Sequence, residues 1–160
     1  MSLLNTFYQS PEFSMLVKMV LSIVAGGVIG LERYQHRHPA GVRTFSIISL
    51  TSAILTASLT QGMYGQLMGQ GDMGASRVIQ GILQGIGFIG AGVIVRDGVS
   101  IKGLTSAASI WAVAGIGVLI GTSEYFLAVC GTIFTALILI GFRKIDSLTA
   151  RRSFAVIEAQ

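Results

Sequence analysis

The chain has 160 residues, of which 52% are hydrophobic and only 11% charged, with a mean hydropathy of +0.73. Soluble domains carry about 25% charged residues, so the composition excludes an ordinary soluble domain and places the chain in lipid. The net charge of +4 is no sign of nucleic-acid binding until its positions are known, and the single cysteine, Cys130, excludes an intrachain disulfide or zinc framework.

Residues 1–13, MSLLNTFYQSPEF, lack a basic n-region and a cleavage site, so no secretory signal peptide is expected. They are read as an outer N-terminal segment. Five apolar segments follow, at residues 14–31, 44–63, 78–95, 104–120 and 125–142. As helices they measure about 26–30 Å, one hydrocarbon thickness. The expected fold is all-α: a polytopic membrane bundle of five transmembrane helices in one domain, with residues 143–160 left as a short cytoplasmic tail.

The third segment, VIQGILQGIGFIGAGVIV, carries Gly81, Gly85, Gly87, Gly90 and Gly92 and no ionisable side chain. In water each interior glycine would cost about 1 kcal/mol of helix stability. In a bilayer the cost of unsatisfied backbone groups keeps the segment helical, and the glycines become places of close helix approach. Gly26 and Gly30 in the first segment, and Gly117 and Gly121 in the fourth, are spaced for the same role. GIGFIG also spells a dinucleotide-binding fingerprint, but it follows no strand and has no acid about 20 residues on. Membrane packing is the better reading.

Nine of the eleven cations fall between segments 1 and 2, between 3 and 4, or after 5. The positive-inside rule makes those sides cytoplasmic, with the N-terminus outside and the C-terminus inside. Tyr64 and Tyr125 then mark an outer aromatic belt and Tyr34 an inner one. Trp111 lies too deep for a belt and is expected to face a neighbouring helix.

Candidate functional groups gather near the two rims. Glu32 follows the Gly26/Gly30 pair, and Arg43 and Thr44 open the second helix across a short inner loop. Glu32 is read either as an ion ligand at the cytoplasmic mouth or as the partner of Arg33 or Arg43. Lys18 either snorkels outward or meets Asp72 or Glu124 in an outer cluster with Arg77. Gln80 and Gln84 share one face of the third helix. Thr105, a plausible N-cap, Ser106 and the hydroxyls of the second helix either line a hydrated path or bond between helices. A magnesium site needs one or two carboxylates and retained waters, which singles out Glu32 and Asp72, on opposite sides of the membrane. His36 and His38 make a weaker metal candidate. No nucleophile–base pair or hydrolase motif is present, so no enzymatic activity is expected.

The stretches GGVIGLERYQHRHPAGVRTF, QGIGFIGAGVIVRDG and IKGLTSAASIWAVAGIGVLIG resemble the MgtC/SapB family of membrane proteins. The carried motif residues are Lys18, Gly30, Glu32, Arg33, Pro39, Gly41, Arg43, Thr44, Arg77, Gly85, Gly87, Gly90, Gly92, Gly103, Thr105 and Trp111. The resemblance implies a multi-pass protein of the bacterial inner membrane, linked to magnesium homeostasis. Phe45 stands where many members have histidine, the chain departs from the virulence-associated branch at Thr105 and Ala112, and the ACT-like domain that larger members append is not expected, which points to a SapB-like member. Two roles follow: Mg2+ transport through or between protomers, or regulation of another membrane protein such as the ATP synthase. Independently of the resemblance, Gly26/Gly30, Gly81/Gly85 and Gly117/Gly121 are more close-contact faces than a five-helix bundle needs, so a homodimer with helix 3 or helix 1 near its interface is expected. No cofactor other than Mg2+ is implied.

Overall fold

The computed structural model describes residues 10–35, 39–61, 73–98 and 100–157, from 143 onward as backbone only. Its elements are α1 (Pro11–Gln35), α2 (Val42–Gln61), α3 (Met73–Val93), β1 (Val95–Asp97), β2 (Ser100–Lys102), α4 (Leu104–Gly121) and α5 (Tyr125–Ile157). The five expected helices are present. Four of them are long and apolar enough to cross a membrane: α1, α2 up to Thr60, α4, and α5 up to Phe142. The glycine-rich α3 is not among these, because its two glutamines and six glycines dilute its apolar residues.

Two features beyond the helix spans have clear local causes. The connection between α3 and α4 is an antiparallel hairpin with Val95 opposite Lys102 and Asp97 opposite Ser100. Gly98, directly after Asp97, opens its turn at φ 59°. The last helix runs on as backbone through the expected tail to Ile157, because no proline or glycine follows Gly141 to stop it.

Helix α1 begins where its chemistry dictates. Ser10 Oγ accepts from the Phe13 N–H at 3.2 Å, Pro11 fills the first helical position, and Glu12 lies in the first turn. Against it lies α2, running the opposite way at backbone contact. A Cβ at Gly26 would stand 2.5 Å from the Phe45 carbonyl oxygen, and one at Gly30 would stand 2.7 Å from Val42 Cα. Ser46 Oγ also donates to the Ile23 carbonyl across this seam (3.3 Å).

The centre of the bundle is α4, 56% buried against 11% for the apolar part of α5. Its Gly117 meets Ser49 and Ser52, and its Gly121 meets Ala53 and Thr56, so α2 and α4 run parallel. Ile29, Phe45, Ile110, Val113 and Ala114 complete the core. From α3, Ile86 joins that core, Ile82 and Val93 pack against it, and Gly90 meets Ala107. Gly103 adopts φ 92°, and a side chain there would strike the Val93 carbonyl; only glycine lets the hairpin return so closely onto α3.

The far end of α4 closes in a Schellman-type turn. Thr122, Ser123 and Glu124 N–H groups donate to the carbonyls of Val118, Ile120 and Leu119, with Ser123 left-handed at φ 69°. A non-glycine residue in that conformation carries a penalty of about 1 kcal/mol. Ser123→Gly is therefore expected to stabilise the protein by up to about 1 kcal/mol, read as a raised thermal midpoint in detergent.

Candidate functional site

Two basic side chains of α1 grip α4 at its two ends. At one end, Arg33 Nη2 donates to Ser106 Oγ at 3.1 Å, and Arg33 Nη1 lies 3.6 Å from Glu32 Oε2. At the other, Lys18 Nζ donates to the Gly121 carbonyl at 2.8 Å. Lys18 and Arg33 are fifteen residues apart on α1, as are Ser106 and Gly121 on α4, about 22 Å along each axis. All four groups are withdrawn from the surface: Lys18 is 1% exposed, Arg33 4%, Glu32 8%, and Ser106 fully buried.

The Lys18 contact completes the hydrogen bonding of α4. A helix leaves its last four carbonyls without intrahelical partners. Three are taken by the Schellman turn, and the fourth, on Gly121, accepts from Lys18, with Thr60 Oγ1 at 3.5 Å. An ammonium also suits the negative end of a helix. Lys18 thus turns inward, not out to the headgroups, and meets a carbonyl rather than Glu124, which is exposed. A cavity of ≈ 80 Å³ lies beside it, bordered by Met15, Met19, Ala57 and Ser58.

Glu32 and Ser106 belong to the buried clasp. Arg43, Arg77, Gln84 and Thr105 are exposed, and Thr44 is half-buried; Asp72, His36 and His38 lie outside the described residues. The expected pairing of Glu32 with Arg33 is present, whereas Arg43 points its exposed side chain away from the core. Thr105 does not cap α4: Gly103 holds the cap position and no side chain bonds there. Trp111 is 55% exposed instead of packed on a neighbour, since the adjacent Ile110 takes the inward direction. Among the described residues no three His, Cys, Asp or Glu side chains come together as a metal site.

The core between the clasps offers little to an ion. Among the described residues Ser49 Oγ and Arg33 Nε are buried without a hydrogen-bond partner; Ser49 packs against Gly117, and Arg33 is taken up by Glu32 and Ser106. The Lys18 ammonium at one end also repels cations, while at the other Arg33 is already paired with Glu32. Of the packing glycines, Gly26, Gly30 and Gly90 meet a neighbouring helix, whereas Gly81, Gly85, Gly87 and Gly92 have no atom within 4 Å of a would-be Cβ. An apolar groove of ≈ 190 Å³ between α1 and α5, bordered by Leu21, Val24, Val28, Tyr125 and Val129, suits only hydrocarbon.

Long apolar helices, a glycine-sealed core and buried charges held on helix ends define a multi-pass helical membrane protein. The chain belongs to the MgtC family, whose profile matches residues 19–148. It is 40% identical over 134 residues to a Haemophilus influenzae protein, covering 82% of this chain and 56% of that one. It is 35% identical over 145 residues to protein SrpB of Synechococcus elongatus (82% and 76%). It is also 35% identical over 131 residues to the Escherichia coli K12 protein named "Putative magnesium transporter YhiD" (81% and 61%). Protein MgtC of Salmonella typhimurium is 34% identical over 121 residues, and the alignment covers 49% of its length. Against most of these relatives the chain thus spans about half to three-fifths of their length. No solved structure matches it significantly.

Proposed function

We propose that this protein serves magnesium homeostasis in a bacterial inner membrane, with α3 as a fifth span, the N-terminus outside and the C-terminus in the cytoplasm. Mg2+ is its cargo. The observation that carries the proposal is the likeness, at 35% identity, to the relative whose name includes magnesium transport. The cation distribution supports the orientation.

The packed core and its two buried cations favour a route outside the protomer. Two exposed amides, Gln80 and Gln84, stand one turn apart on α3. Mg2+ gives up its waters reluctantly, so amide oxygens that accept from its hydration shell suit it better than a tight dry cage. Uptake of Mg2+ into proteoliposomes, read by an entrapped indicator, is expected above that of protein-free vesicles.

A second reading, regulation of another membrane protein, is favoured by that same exposed face, which a partner helix would fit. Absence of uptake, together with a membrane protein that co-purifies with the wild-type chain, would favour it over transport.

A further inference from the structure

We propose that the outward face of α3 is an interface with a second copy of this chain, in which Gln84 of each copy bonds to the other in mid-membrane as the closed state of the Mg2+ route proposed above. The inference rests on α3 being a fifth span, as proposed above.

Gln80 and Gln84 stand one turn apart, both exposed, and neither makes a side-chain hydrogen bond among the described residues. Gln84 lies near the middle of α3. In hydrocarbon such an amide has no solvent to bond, so leaving it against acyl chains is costly. The exposed face of α5 presents the opposite case: Phe126, Leu127, Val129, Phe134 and Leu137 are apolar throughout, and lipid covers them without loss. Lipid is a poor cover for α3. The same amides help to keep α3 out of the set of helices apolar enough to cross alone.

The chemistry of the face favours a copy of itself. Two copies with the same topology are related by an axis along the membrane normal, so α3 meets α3 in parallel and like residues face one another. A primary amide carries both donors and an acceptor. Gln84 therefore finds its complement in Gln84 of the second copy at the same depth, which an unrelated helix would have to supply by chance. Gly81 and Gly87 flank Gln84 by about 60° on either side of the helix. With nothing within 4 Å of either, they let the two backbones approach closely enough for the amides to meet.

The test places Gly87→Cys in a Cys130→Ser background and oxidises it in native membranes with copper phenanthroline. Gly87 has open space around it, so the substitution leaves the protomer undisturbed. A band at twice the chain mass is expected, and none from Phe134→Cys on the exposed face of α5. Adding Gln84→Leu to the Gly87→Cys chain is expected to lower the dimer fraction, through roughly three- to tenfold weaker association for one or two lost interhelical bonds. A monomer band from Gly87→Cys, a cross-link to a different protein, or a dimer unaffected by Gln84→Leu would each overturn the proposal. A membrane-impermeant maleimide added from either side separates the failures. Ready labelling of Gly87→Cys would remove α3 from the lipid and take the five-span reading with it; protection without a dimer would sink the interface alone.

Discussion

Arg33→Met is expected to destabilise the protein by about 3 kcal/mol or more, because it leaves the Glu32 carboxylate inside the bundle without its guanidinium. The change also strips Ser106 of its donor, the link that holds the start of α4 against α1. For a chain of this size that is a fall of roughly 6–12 °C in thermal midpoint, measured by intrinsic fluorescence in detergent. Arg33→Lys keeps the charge but not the planar fork that reaches Glu32 and Ser106 together, so its fall is expected to be intermediate. A double-mutant cycle locates the effect. Glu32→Gln costs less in the Arg33→Met background than in the wild type if the pair acts as a unit, and equal costs would show that it does not.

Gly117→Val is expected to do comparable or greater damage by a steric route. A Cβ on Gly117 would collide with the Ser49 carbonyl and stand 2.8 Å from Ser52 Cβ, so α2 and α4 would have to separate along the most buried seam of the bundle. Overpacking of a core commonly costs 1–3 kcal/mol; here the neighbour is backbone, which cannot rotate away, so a loss of at least about 3 kcal/mol is expected. Gly115 is the control. It lies on the same helix two residues away, yet nothing stands within 4 Å of its would-be Cβ. Gly115→Val should therefore shift the midpoint little. Equal losses at the two positions would mean that helix propensity, not contact, decides.

The architecture was largely legible in the sequence because it depends on the length and apolarity of each segment. All five helices form, and spacing alone marked Gly26/Gly30 and Gly117/Gly121 as close contacts. Gly81/Gly85 have the same spacing and no neighbour among the described residues of the protomer. The spacing tells that a helix face is flat, not which helix will meet it. The hairpin leaves a short-range signal, Gly98 after Asp97 between two short runs, but length and apolarity, which define the spans, do not register it. The clasp was half legible. Glu32 and Arg33 are adjacent in the chain, whereas Ser106 follows Arg33 by 73 positions. The Lys18 contact left no trace, since its acceptor is a main-chain carbonyl and any residue at position 121 would offer one.

If the protomer is sealed and Mg2+ passes along α3, uptake into proteoliposomes should depend on Gln84 and be indifferent to Ser49, the buried core hydroxyl with no bonding partner. The decisive comparison is the initial rate of Mg2+ uptake by Gln84→Leu and by Ser49→Ala, each reconstituted at equal density with the wild type. The expected result is a rate near that of protein-free vesicles for Gln84→Leu and an unchanged rate for Ser49→Ala. The reverse, with uptake lost on removing the Ser49 hydroxyl and kept without the Gln84 amide, would route the ion through the bundle and contradict the sealed core.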